Sequence, residues 1–238
     1  MQRGAPRPVS GISWGGEEGE RLAISYCSPD FLGWMAAASC DGFLFSARDP
    51  TSHWGRLAST SSLTCLQFNP RDEAVVGGGS EAGGVGWWDT RLGGERARTV
   101  SSESHSDPVY GLVWTHSKAG TEMMTASADG TVKFWDVRRF SQSLETFILD
   151  MENKDRKSSG DRELAQPISY LEWDSTIPSK FMLGTEGGRM VTCSRKARSQ
   201  PDTITARFTA HHGAVRCIER NPAFSKYNTV KVVVIVQL

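Results

Sequence analysis

The sequence predicts an all-β chain built from repeated small sheets, and three observations carry that prediction. Short apolar runs alternate with glycine-rich breaks, with 24 Gly and 8 Trp in 238 residues. No window shows the i, i+3, i+4, i+7 stripe of an amphipathic helix. The runs alternate instead: in Thr131-Val132-Lys133-Phe134-Trp135, Lys133 points away from its apolar neighbours. Finally, the runs recur along the chain in a fixed order.

One class of run is GISW (11–14), CLQF (65–68), GLVW (111–114), YLEW (170–173) and CIER (217–220), with steps of 54, 46, 59 and 47 residues between their last positions. A second class follows each of the first four: RLAISYCS, AVVGGGS, EMMTASADG and KFMLGTEGG. A third follows that: GFLFSARD, GVGWWDTR, TVKFWDVR and RMVTCSRK. Trp88-Asp89 and Trp135-Asp136 stand 47 residues apart. Three strands and a weaker fourth at this period describe the blade of a WD-repeat β-propeller. Each blade has two apolar faces that only neighbouring blades can cover.

The expected organisation is an N-terminal extension over 1–8 and blades over 9–62, 63–103, 104–166 and 167–209. An incomplete blade follows over 210–226, then an atypical tail over 227–238. Blades one and four lack the Trp-Asp pair, with Phe45-Ser46 and Cys193-Ser194 in its place. The best blade carries a structural hydrogen-bond set, expected as His105, Ser127, Asp129 and Trp135. Asp129-Gly130 suits a tight hairpin turn, because Gly accepts positive φ. Four to five blades are fewer than a seven-bladed ring, which needs roughly 300 residues or more. The expectation is therefore a partial or open propeller. The alternatives are a compact small propeller, or an arc that closes with another chain.

Charge and motifs narrow the function. Lys+Arg and Asp+Glu are both 27, so the net charge is zero, which argues against nucleic acid and anionic membrane as partners. Five scattered cysteines without a CxxC pair argue against a disulfide framework. The N-terminus has no apolar signal segment. The run 230–236 is too short to span a bilayer. No phosphate loop, HExxH or GxSxG motif occurs. The adjacent His211-His212 would point opposite ways on a strand, and Gly77-Gly78-Gly79 is read as a hairpin device. No catalytic, cofactor-binding or metal residue is assigned, and an enzyme is not expected.

Protein docking is the remaining class. Arg138-Arg139 and Arg195-Lys196-Ala197-Arg198 each follow a third strand, where a partner with acidic residues could bind. Tyr110 and Trp87 are aromatic anchors of the kind that dominate interfaces, although core packing fits Trp87 as well. The segment 150–166 has 9 charged residues in 17 and is read as a solvated insertion.

The stretch SHSDPVYGLVWTHSKAGTEMMTASADGTVKFWDVRR (104–139) resembles the intermediate chains of axonemal outer-arm dynein. So do YLEWDSTIPSKFMLGTEGGRMVTCSRKA (170–197) and AHHGAVRCIERNP (210–222), with LTCLQFNPRD and WWDTRLG before them. The resemblance runs from about residue 9 to 225, weakens between Cys27 and Trp54, and stops after Lys226. It implies a non-catalytic scaffold without cofactor. Its propeller would dock on the dynein heavy chain beside a second intermediate chain, and light chains would bind a region outside this sequence. It also implies a cytoplasmic assembly stage, then the cytoskeleton of the cilium or flagellum axoneme. A generic WD-repeat adaptor of another intracellular complex is the alternative.

Overall fold

Alternation becomes antiparallel sheet throughout the described chain. The computed structural model describes residues 7–16, 19–27, 40–92, 103–152, 160–174, 177–209, 212–220 and 230–231. The strands are β1 (Val9–Gly15), β2 (Arg21–Tyr26), β3 (Gly42–Ser46), β4 (His53–Leu57), β5 (Leu63–Phe68), β6 (Val75–Ser80), β7 (Val85–Asp89), β8 (Val109–Trp114) and β9 (Glu122–Ser127). They continue as β10 (Thr131–Asp136), β11 (Glu145–Ile148), β12 (Ile168–Trp173), β13 (Lys180–Thr185), β14 (Arg189–Ser194), β15 (Ile204–Thr209), β16 (Glu219–Arg220) and β17 (Val230–Lys231). Sheet orders are β1-β2-β3-β4, β5-β6-β7, β11-β10-β9-β8, β12-β13-β14-β15 and β16-β17. This is the antiparallel, blade-like sheet architecture of a WD-repeat propeller. The described helical content is one turn, α1 (Gln200–Thr203), and two 3-10 turns. The end of the second expected blade, 93–102, lies outside the described residues.

Two compact units are formed, residues 1–114 and 115–238. In the first, Ala23, Leu44 and Leu57 of the first sheet share a core with Leu63, Leu66, Phe68, Val76 and Trp88 of the second. Fully burying such a side chain is worth about 1.5–3 kcal/mol. The two sheets approach closely because the first offers small residues. A Cβ on Gly15 would lie 2.5 Å from the Phe68 ring, and Ser13 Oγ accepts the Phe68 N–H at 3.0 Å. Gly77, Gly78 and Gly79 differ from the hairpin reading: all three sit inside β6. A Cβ on Gly77 would press on Leu112 and Trp114, and one on Gly79 would lie 2.5 Å from Val109. The run is glycine because side chains of β5, β7 and β8 fill the space a Cβ would need.

In the second unit Phe134, Phe147 and Phe181 pack edge to face, and Trp173 stacks on Phe181. One face of β12, β13 and β14 is met by Val215 and Ile218, from beyond β15. Val215 and Ile218 pack on Met182 and Met190, Ser169 Oγ donates to the Val215 carbonyl at 2.7 Å, and Val215 N–H donates to Thr185 O at 3.1 Å.

Candidate functional site

The Trp-Asp dipeptides build the turns that present the docking candidates. Trp135 is fully buried, and its indole N–H donates to Thr125 Oγ1 at 2.8 Å. Thr125 was not among the residues singled out from sequence. It lies on the strand beside Trp135, opposite Lys133. Ser127 and His105 are buried, at 0% and 4% exposure. Ser127 Oγ accepts the Asp129 N–H at 3.2 Å, and Asp129 Oδ1 accepts from both the backbone N–H and the hydroxyl of Thr131. Gly130 follows at φ +74°. His105 N–H donates to Gly83 O at 3.1 Å within the first unit.

The Asp of each Trp-Asp pair takes the Arg two residues on. Asp136 accepts the Arg138 backbone N–H at 2.9 Å and its guanidinium at 2.7 Å, closing the 3-10 turn Val137–Arg139. Asp89 treats Arg91 the same way, at 3.0 and 2.8 Å. These guanidinium bonds hold the Asp89 and Asp136 carboxyls below the usual range. Arg138 is thus tied back along its own turn although it is exposed, as Arg139 beside it is.

Where Ser46 replaces that Asp, Arg48 two residues on pairs with Glu20 instead. Arg195 follows Ser194 and reaches the preceding sheet, where it bonds Glu122 at 2.9 Å and Glu145 at 2.8 Å. Its guanidinium also lies 4.3 Å from the Phe134 ring centroid. Burial works against the Arg195 charge, but Glu145 and Glu122 outweigh it and raise its pKa. Arg195 is therefore an internal brace between strands β9, β11 and β14, not an open surface cation. Lys196 and Arg198 on the same turn are exposed. Arg198, with Ser199 and Thr203, rims a cleft of about 340 Å³ floored by Phe134, Phe147 and Phe181. Glu145 and Arg195, already paired with each other, line it as well. Tyr110, at 37% exposure, stands on β8 in the first unit, and Trp87 on β7 is half-buried.

The first unit has its own cleft of about 590 Å³, lined by Trp54, Arg21, Glu20, Asp72, Glu73 and Arg91 among others. Most of its charges are already paired: Arg91 with Asp72 and Asp89, and Arg48 with Glu20. Among the described residues no three His, Cys, Asp or Glu side chains gather as a metal site. Desolvation pushes the thiol of half-buried Cys65 up to about 12 and raises that of buried Cys193, which disfavours the thiolate at both. No described helix is long and apolar enough to cross a membrane.

Repeated antiparallel sheets with Trp-Asp turns define a WD-repeat protein. The model of the WD domain, G-beta repeat, matches residues 96–136. The chain belongs to the axonemal dynein intermediate chain family. It is 39% identical over 92% of its length to the ciliary dynein intermediate chain 3 of Heliocidaris crassispina. It is 38% identical, again over 92%, to the human dynein axonemal intermediate chain 2. It is 31% identical over 93% to the 70 kDa intermediate chain of the Chlamydomonas reinhardtii flagellar outer arm dynein. The chain spans 36% of the length of the first two and 38% of the third.

Proposed function

We propose that this chain is a non-catalytic docking subunit of an axonemal outer-arm dynein. Its blades bind the dynein heavy chain beside a second intermediate chain, and support arm assembly and the movement of cilia or flagella. Light chains bind outside this sequence. The complex is assembled in the cytoplasm and works on the axonemal cytoskeleton. The observation that carries this reading is 31–39% identity, across more than nine-tenths of the chain, to ciliary and flagellar dynein intermediate chains. Lys196, Arg198 and Arg139 are its exposed cations for an acidic partner surface, and Tyr110 is an aromatic contact.

The test is binding of the purified chain to an axonemal dynein heavy-chain tail. Saturable binding is expected. Lys196→Glu with Arg198→Glu should weaken it by roughly 3- to 30-fold and flatten its salt dependence, as reversing rim charges does. No binding to the tail under conditions where the chain is folded would refute the proposal.

A further inference from the structure

Residues 215–220 lie on the β12–β15 sheet as β8 lies on the β5–β7 sheet, and one residue in that contact differs in kind. A Cβ on Gly79 would lie 2.5 Å from Val109, and one on Gly184 would lie 2.7 Å from Val215. Thr64 Oγ1 donates to the Val109 carbonyl, and Ser169 Oγ donates to that of Val215. Leu66 pairs with Gly78 as Leu171 pairs with Leu183, so Glu172 holds the place of Gln67. Gln67 Oε1 accepts the Trp114 N–H at 3.0 Å, and Ser13 Oγ likewise accepts the Phe68 N–H. Both are neutral acceptors that fasten the strand laid across them. Glu172 is a half-buried carboxyl with no hydrogen bond or ion pair among the described residues. Met182, directly opposite it on β13, is covered by Val215 and Ile218. The titratable and charged groups around it are Tyr170 and Asp174 on β12, Lys180 on β13, and Arg216, Cys217 and Glu219 on the covering segment. β14 and β15 add none to that face, where Met190 pairs with Phe208 and Thr192 with Ala206. Burial first, and Glu219 second, push the Glu172 carboxyl up to about 7. Once ionised, it is both poorly solvated and next to a like charge.

We propose that Glu172 makes the contact of residues 212–220 with the β12–β15 sheet a proton-controlled latch, closed while its carboxyl is neutral and loosened when it ionises. Loosening lifts Val215 and Ile218 from Met182 and Met190 and lets water reach the carboxylate. The latched carboxyl keeps its proton up to about pH 7, whereas a freed one releases it near 4.5. The closed form therefore loses ground as pH rises, by roughly tenfold between about pH 6 and pH 8. Burial, then Cys217, raise the Tyr170 hydroxyl, so Tyr170 stays neutral over that range. The latch does not depend on dynein binding, and either proposal can fail alone.

Methionine oxidation by dilute hydrogen peroxide, read by peptide mass spectrometry on the 238-residue chain, tests it. Met182 and Met190 are 6% and 4% exposed beneath the latch, and Met123 and Met124, both at 0%, are the internal reference. Oxidation of Met182 and Met190 is expected to run roughly tenfold faster at pH 8 than at pH 6, with Met123 and Met124 unchanged. Glu172→Gln, which supplies the neutral acceptor that Gln67 provides, should hold the slow rate at both pH values. Glu219→Gln should keep the acceleration but move it to lower pH, because it removes the second cause and leaves burial. Equal rates for Met182 and Met190 at the two pH values would overturn the proposal. So would an acceleration that persists in Glu172→Gln, or one shared by Met123 and Met124, which would report general unfolding in place of a local latch.

Discussion

Truncating Trp135 to Ala should unfold its sheet at much lower denaturant. The side chain is fully buried, its ring lies 5.4 Å from that of Phe140, and its N–H is used on Thr125. A buried Trp removes about 150–250 Å² from water, or roughly 4–6 kcal/mol at 25 cal/mol per Å². The unfolded chain already hides part of that area, which brings the transfer contribution nearer 3–4 kcal/mol. The lost hydrogen bond adds about 1 kcal/mol, for a total of about 4–5 kcal/mol. That is a large share of the roughly 5–15 kcal/mol that holds a domain folded. Urea unfolding followed by far-UV circular dichroism reads the effect. Trp135→Phe, which keeps a ring and gives up the N–H, should retain more than half of the stability lost in the Ala variant. A loss below about 1 kcal/mol for Trp135→Ala would refute the burial argument, because no core Trp is that cheap to remove.

Gly130→Val should destabilise by about 2 kcal/mol or more in the same assay. It forces a β-branched residue to φ +74° and sets its Cβ 2.6 Å from that of Ala165. Arg195→Ala should cost about 1–2 kcal/mol, since it leaves Glu122 and Glu145 without their shared cation and uncovers Phe134. An unchanged urea midpoint would mean that the brace carries no stability. The Glu172 carboxyl is pushed from 4.5 up to about 7, by burial first and by Glu219 second. The folded state then holds a proton that the unfolded state has released, so this group's contribution falls as pH rises from 4.5 through 7. Glu172→Gln should remove that fall, so the variant should gain on the parent between about pH 5 and pH 8. Parallel curves for the two proteins would contradict the assigned cause.

Local chemistry made the sheets legible in the sequence. The strand-one runs, the Asp129-Gly130 turn and the buried Trp135 follow from alternation and from the φ that glycine alone takes easily. The destinations of the arginines were not legible. Arg138 and Arg195 look alike in sequence, each a cation just past a third strand. Their fates diverge because Arg138 stands two residues past Asp136 and bonds it within its own turn, while Arg195 stands directly after Ser194, in the place of Val137. Arg195 therefore finds Glu122 and Glu145, 73 and 50 residues away in sequence. Only the register between two sheets brings those three together. The triple glycine was misplaced for a related reason. A turn and a crowded strand both demand glycine, and the side chains that crowd Gly77 and Gly79 come from β8, more than 25 residues on.

The central claim is that these blades dock onto a dynein motor. It is tested most directly by sedimenting a high-salt axonemal extract and locating this chain by antibody. The account predicts that the chain migrates with the dynein heavy chains and leaves that peak only when the complex is dissociated. A chain that sediments by itself, or with a complex lacking dynein heavy chain, would contradict it.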